Sequence, residues 1–459
     1  MPWPSATIAA PAPRDSRPLV LRPPAGRGLS GTALVPGDKS ISHRALILAG
    51  LAVGETAIRG LLEGEDVLAT AAAMRALGCT IARDAGGIWR VWGAGVGSLL
   101  APDGALDLGN SGTSARLLLG CLATHPVSAV LVGDASLSRR PMERVMAPLR
   151  AMGAAFEASP GGRLPLLVRG LAPAIPIAFR LDVPSAQVKS AILLAGLNAP
   201  GETVVEEPVS TRDHTERMLA AFGAAPEIET DGPLRRIRVR GPAELSPATL
   251  DVPADPSSAA FPVVAACLVP ESCIRVPGVC LNSTRDGLFR VLEAMGADIR
   301  REQPREVGGE PVADLVVRSA PLSGIEVPPE LAPAMIDEYP ALFVAAALAR
   351  GRTVLRGLGE LRVKESDRLA AMAEGLAAAG VPVEELEDGL VITGSGGRPV
   401  PGGAGVRAHG DHRVAMSLAV LSLAAEQPIA VDDCRPIATS FPGFVSLMTA
   451  LGCREGGPS

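Results

Sequence analysis

Apolar runs recur along the chain at a steady interval, each behind a polar start. The runs open at Ser40, Ser111, Ser185, Ser257, Asp337 and Asp411, spaced 71, 74, 72, 80 and 74 residues apart. Ser and Asp are favoured helix N-caps, because a side-chain oxygen can accept from a free N–H of the first turn. Behind each start the run is apolar on nearly every face, which predicts a buried helix, not an amphipathic surface one. A second helix in each repeat ends at a glycine, the usual residue just past a helix C-terminus. These are Gly78, Gly153, Gly223, Gly296, Gly380 and Gly452, separated by 75, 70, 73, 84 and 72 residues. β-Branched stretches such as Thr56-Ala57-Ile58, Thr203-Val204-Val205 and Thr353-Val354-Leu355 follow the first helices and predict strands.

Six units of this length exceed the usual ~20–50 residues of a solenoid repeat and predict compact α/β lobes. A three-plus-three division follows, with the Pro- and Ala-rich stretch 240–256 as the hinge. Residues 1–28 are rich in Pro, Ala and Arg and have no apolar core, so they are expected to be a disordered tail and not a secretory signal.

Composition narrows the classes. Of 459 residues 47% are hydrophobic and 20% charged, as in a globular protein. Uncharged, mostly apolar runs such as 414–425 are too short for a membrane span of ~20 residues. A net charge of −6 argues against nucleic acid as a partner. Seven cysteines, an odd number with no CxxC pair, indicate neither a disulfide framework nor a zinc site and fit a reducing, cytoplasmic setting. Among 43 basic residues only Lys39, Lys189 and Lys364 are lysines, which suggests sites where a compact ammonium is needed.

Basic residues gather at the predicted helix starts: Lys39, Arg44, Arg116, Lys189 and Arg413, with Gln187. Helix N-termini attract anions, so the pattern predicts a site for small polyanions. Five polar clusters interrupt the apolar sequence. Pro36 to Arg44 looks like a phosphate loop but lacks the spaced glycines of an ATP site. Gly109 to Arg116 contains Gly112, which permits close backbone approach to a ligand. Gly133 to Met142 carries the pair Arg139 and Arg140, a candidate anion clamp. In Glu360 to Arg368, a helix would put Lys364 and Arg368 on one face. The fifth is Asp411-His412-Arg413, followed by Ser440-Phe441-Pro442.

Taken together, these motifs resemble the 5-enolpyruvylshikimate-3-phosphate synthase family from about Gly31 to Gly452. Ser185-Ala186-Gln187, Arg212-Asp213-His214-Thr215 and Ser440-Phe441-Pro442 look like its class II bacterial branch. The resemblance implies an α/β fold of two lobes, each of three βαβαββ units, an inside-out α/β barrel with the site in the cleft between lobes. It implies an N-terminal lobe of residues 36–252 and a C-terminal lobe of 29–35 plus 253–459. It also implies transfer of the enolpyruvyl group of phosphoenolpyruvate to the 5-hydroxyl of shikimate 3-phosphate by a monomer needing no metal or organic cofactor. By motif position, Lys39, Ser40, Arg44, Ser185, Gln187, Asp337 and Lys364 are expected to bind shikimate 3-phosphate. Lys39, Gly112, Arg140, Gln187, Arg368 and Arg413 are expected to bind phosphoenolpyruvate. Asp337 and Glu365, with Lys39, are the expected catalytic groups.

Two positions depart from parts of the family. Gly112 stands where glyphosate-tolerant class II members carry Ala, and Ser440 stands where class I members carry Lys. The related enolpyruvyl transferases of UDP-N-acetylglucosamine have Asn after the first Lys and a Cys in the arginine loop. Ser40 and the Cys-free stretch 133–142 fit them less well. A non-catalytic anion-binding scaffold is disfavoured by the presence of both Asp337 and Glu365.

Overall fold

The computed structural model describes residues 18–26 and 28–456. Six buried helices organise it: α1 (Lys39–Leu51), α2 (Gly112–Ala123), α3 (Ala186–Gly196), α4 (Pro256–Leu268), α5 (Tyr339–Leu348) and α6 (His412–Leu421). Every residue of α5, and every residue of α1 from Ile41 onward, is buried. Apolarity all round is what lets a helix sit inside a layer of other elements. Gly120 shows how closely two of them pack. A Cβ there would lie 2.3 Å from the Ala191 carbonyl oxygen, so α2 meets α3 only because that position has no side chain.

Five of the six units carry a four-stranded sheet of one pattern. A short first strand pairs parallel with the strand after the buried helix, and that strand pairs antiparallel with a terminal hairpin. In the second unit, Leu106–Asp107 runs parallel to Ser128–Val132, which pairs with Arg163–Arg169 and through it with Ala155–Ser159. The first and fourth units borrow their first strand. Thr249–Asp251 completes the sheet of Val53–Arg59, and Ser30–Thr32 completes that of Cys273–Cys280. The expected hinge at 240–256 is therefore narrower, since most of it is strand and connection within the first lobe. The chain crosses at Pro36 and Pro253, where Asp38 N–H donates to the Pro253 carbonyl at 2.8 Å and Asp255 N–H to that of Pro36 at 2.9 Å.

Two hydrophobic cores result. One is built from residues between Ile41 and Val252; the other joins residues between Leu19 and Ala33 to those between Ala259 and Cys453.

The sixth unit is broken into three two-stranded ribbons, and one of them corrects the expectation of a disordered tail to residue 28. Val20–Arg22 pairs antiparallel with Arg454–Gly456, and Leu21 is fully buried with its carbonyl accepting from Ser422 Oγ at 2.7 Å. Leu19, Val20 and Leu21 are all buried, with Leu19 and Leu21 in the second core. Residues 1–17 of that expected tail lie outside the described residues. No helix among the described residues is long and apolar enough to cross a membrane.

Candidate active site

The starts of all six buried helices converge on one cavity of about 340 Å³. Lys39, Ser40 and Arg44 enter it from α1, Gly112, Thr113 and Arg116 from α2, and Ser185 and Gln187 from α3. Asp255 and Ser257 come from α4, Asp337 from the approach to α5 and Arg413 from α6. Three of the sequence-predicted caps move. Asp38 and Asp255, not Ser40 and Ser257, cap α1 and α4, through Ile41 N–H at 2.9 Å and Ser257 N–H at 3.0 Å. Ser111, Ser185 and Asp411 cap α2, α3 and α6. At α5 the capping position is Glu338 and its side chain makes no capping bond, which leaves the preceding Asp337 carboxylate free to face the cavity. Asp411 combines its cap with an ion pair to Arg368 at 2.7 Å.

The cations are held in fixed poses. Lys39 Nζ pairs with Asp66 Oδ2 at 3.0 Å. Arg44 donates to Thr215 Oγ1, Ser190 Oγ and the Ser40 carbonyl at 2.8, 2.7 and 3.0 Å. Arg116 donates to Gln187 Oε1 at 3.0 Å, and Gln187 Nε2 to Thr113 Oγ1 at 3.0 Å. Burial, followed by the nearby charges of Arg144 and Arg140, brings Arg116 down to about 10. Arg140 is oriented by Asn110 Oδ1 at 2.6 Å and Ser136 Oγ at 3.1 Å.

Two carboxylates face this array. Asp337 pairs with Arg212 at 2.6 Å, Arg368 at 3.3 Å and Lys364 at 3.7 Å, and Arg413 donates to its carbonyl at 3.1 Å. Burial pushes its carboxyl up, but Lys364, Arg413, Arg212 and Arg368 outweigh that and hold it well below the usual carboxylate value. Glu365 pairs with Arg368 at 2.5 Å and with Arg140, from the other lobe, at 3.5 Å. Burial raises its carboxyl too, and Arg368, Arg140, His412 and Lys39 again bring it well below the usual value. Lys364 is lowered by burial, with Asp337 opposing.

Three expectations change. Lys364 and Arg368 do not share a helical face: 359–363 is a 3₁₀ turn, Lys364 follows it, and the next helix begins at Arg368. They meet through Asp337 instead. Arg368 is 1% exposed and lies behind the cavity wall, with its guanidinium spread over Asp337, Glu365 and Asp411. Lys189, for all its rarity as a lysine, is fully buried away from the cavity and pairs with Glu207 at 3.0 Å and Glu216 at 2.8 Å. Its ammonium is retained for packing and not for a ligand.

Of the pair Arg139 and Arg140 only the second reaches the cavity, Arg139 being exposed; the remaining residues expected to bind or act line it, and several more join them. Arg212 spans from Asp337 to Ser40 Oγ, 3.4 Å away. Asp66 fixes Lys39. Arg144 pairs with Glu360 at 3.2 Å across the mouth. No motif signalled Arg144, which lies in the first turn of the helix that follows Arg140. Ser440 is buried at the end of the turn Arg435–Thr439 and is not part of the lining.

Comparison with known proteins agrees with this geometry. The family model of EPSP synthase (3-phosphoshikimate 1-carboxyvinyltransferase) matches residues 24–448. A 3-phosphoshikimate 1-carboxyvinyltransferase of Sphingopyxis alaskensis is 62% identical over 428 residues, 92% of this chain and 96% of that protein. The solved structure of EPSP synthase from Acinetobacter baumannii superposes with a TM-score of 0.84 at 44% identity, covering 96% of this chain and all of the other. The enolpyruvyl transferase NikO from Streptomyces tendae, 20% identical with a TM-score of 0.76, shares the fold.

Proposed function

The chain belongs to the EPSP synthase family, and from that premise we propose how its cleft moves an enolpyruvyl group from phosphoenolpyruvate to shikimate 3-phosphate. That transfer, a step of aromatic biosynthesis, is the chain's activity. The observation that carries the mechanism is a single guanidinium, Arg368, bridging two cavity carboxylates, Asp337 and Glu365.

Shikimate 3-phosphate is held by Lys39, Ser40, Arg44, Ser185, Gln187 and Lys364, joined by Arg212. Three of the five guanidinium N–H groups of Arg44 are taken by protein, which leaves two for a phosphate. Phosphoenolpyruvate lies against Lys39, Gly112, Arg140, Gln187 and Arg413, with Arg368 acting from behind through the two carboxylates. Asp337 takes the proton of the 5-hydroxyl as its oxygen bonds to the central carbon of phosphoenolpyruvate. Glu365, in its acid form, gives a proton to the methylene carbon. The adduct then collapses: Glu365 takes a proton back from the new methyl group, the C–O bond to phosphate breaks, and phosphate departs with the proton that Asp337 holds.

The unliganded cleft keeps Glu365 ionised because Arg140 and Arg368 stand beside it. Substrate carboxylate and phosphate compete for the Arg140 guanidinium at the cavity wall, and drawing it away raises the Glu365 carboxyl toward protonation. Closure of the lobes over the substrates dries the site and strengthens every such interaction. The protein is taken to work as a cytoplasmic monomer, since one chain supplies all six helix starts and the odd cysteine count without a CxxC pair fits a reducing compartment. Phosphate release that requires both substrates together tests the reaction. Release with phosphoenolpyruvate alone, or none with both, overturns it.

A further inference from the structure

At the crossing between the lobes, one side chain touches groups at the starts of four active-site elements. Arg285 is 2% exposed and belongs to a loop of the second lobe. Its Nη1 donates to Asp38 Oδ2 at 2.8 Å, and Asp38 is the cap of α1, which carries Lys39, Ser40 and Arg44. The same nitrogen meets His214 Nε2 at 3.4 Å, two residues beyond Arg212. Nη2 donates to Asp255 Oδ1 at 3.1 Å and to Ser257 Oγ at 3.0 Å, at the start of α4. It also lies 3.8 Å from Glu338, the residue after Asp337. Asp38 and His214 belong to the first lobe; Asp255, Ser257 and Glu338 belong to the second.

The partners are themselves fixed. The His214 ring is clamped at its other nitrogen by Glu310 Oε1 at 2.6 Å, from the second lobe. Nε2 is left to accept from Arg285, so the ring carries its proton on Nδ1. Ser257 Oγ donates to Glu338. The backbones of the two crossing segments exchange hydrogen bonds beside this hub. A planar fork with donors at fixed angles locks its partners into one arrangement, which a single ammonium cannot do.

We propose that Arg285 is a positioning residue of the enolpyruvyl transfer: by bonding Asp38, His214, Asp255 and Ser257 at once, it sets the register between the lobes that brings Lys39 and Arg212 to Asp337. Its guanidinium forms part of the cavity wall, but it acts through those residues and takes no part in proton transfer. The inference rests on the assignment of Lys39, Arg212 and Asp337 to the substrate site. A displacement of about 1 Å at a reacting group lowers turnover by roughly 100-fold, so a loosened register is read in kcat.

The test compares the full-length chain with Arg285→Lys, which keeps the charge and loses the fork. It adds the double variant Arg285→Gln/Asp255→Asn, which removes one carboxylate along with the guanidinium and so relieves unpaired buried charge. Melting temperature and circular dichroism report folding; kcat is referred to folded protein, and KM is measured for both substrates. We expect both variants to fold and kcat to fall about 10–100-fold. The double variant should recover melting temperature relative to Arg285→Gln alone without recovering kcat. A kcat per folded molecule within about two-fold of wild type in either folded variant makes Arg285 merely structural and overturns the inference. Should Arg285→Lys not fold, the double variant decides by the same criterion. Asp337→Asn run alongside separates the two readings: if it keeps wild-type turnover, the site assignment fails, whatever Arg285 does.

Discussion

In the proposed mechanism Glu365 must hold a proton when it protonates carbon, yet in the unliganded cleft two guanidinium groups keep it ionised. Glu365→Gln retains the shape and loses the titration. We expect kcat to fall by roughly 10²–10⁴-fold while phosphoenolpyruvate still binds; wild-type kcat would remove Glu365 from the mechanism. Gly112 poses a steric question. A Cβ there would lie 2.8 Å from Arg116 Nη1 and 3.0 Å from Arg140 Nη1, both ends of flexible side chains. Gly112→Ala should therefore fold, with its guanidinium neighbours displaced a few tenths of an ångström beside the proposed phosphoenolpyruvate subsite. A longer anionic competitor such as glyphosate has less room to adapt than the substrate. We expect its inhibition constant to rise about 5–150-fold, and more than the KM for phosphoenolpyruvate; equal shifts in the two constants sink the idea. Asp255 shares Arg285 with Asp38, and burial, then the Asp38 charge, pushes its carboxyl up to about 6 from 3.8. A folded-state value above the unfolded one gives stability that is full below about pH 4 and lost as pH rises through about 6. Asp255→Asn lacks that loss and keeps an acceptor for the α4 cap. Its melting temperature relative to wild type should climb between pH 4 and 7, by an amount worth of order 1–3 kcal/mol. A difference that does not vary with pH counts against the shift.

Six buried helices were legible because an apolar run behind a polar start is a local signal, and the glycines after the second helices repeat it. Which residue caps each helix was less so: Ser40, Ser257 and Asp337 all satisfy the sequence rule, and only the backbone path puts Asp38, Asp255 and Glu338 at the caps. Long-range pairings were hidden for a similar reason. Nothing local in Val20–Arg22 announces that its partner is Arg454–Gly456, more than four hundred residues on. Cavity residues carried by motifs, such as Lys39, Arg140 and Glu365, were legible in the sequence. Arg285 sits in a loop with no motif of its own and owes its place to tertiary packing. The N-terminal strand makes a sharp comparison possible between a chain beginning at Pro18 and one beginning at Leu29. The second loses the ribbon, the carbonyl that accepts from Ser422, and the buried side chains of Leu19, Val20 and Leu21. Burial of each such side chain contributes up to roughly 1.5–3 kcal/mol. We expect the shorter chain to melt more than about 5 °C lower. Equal melting temperatures would show that the ribbon adds nothing to the second core.

Across the whole molecule, charge is distributed against its own average. The chain carries −6, yet nine cationic and only five acidic side chains line the cleft. A concave, low-dielectric site lined by one sign focuses its field outward and raises the local concentration of anions. The two lobes also bind one another through this surface. Arg144 and Glu360 pair across the mouth at 31% and 42% side-chain exposure, while Arg140–Glu365 and Arg212–Asp337 span the interior, each side chain no more than 16% exposed. Salt screens exposed charges over a Debye length of ~10 Å at 0.1 M and ~3 Å at 1 M, and reaches buried pairs far less. Capture of substrates should therefore depend on ionic strength, and the chemical step inside the closed cleft should not. Raising sodium chloride from about 0.02 to 0.5 M is expected to lower kcat/KM for shikimate 3-phosphate by roughly 10-fold or more, with kcat changed less than about two-fold. Arg144→Gln removes one of the outermost cations and should flatten that dependence, because fewer exposed charges remain to be screened. A kcat/KM indifferent to salt would mean that the substrate anions meet the cleft without long-range guidance, and that its cations act only at contact.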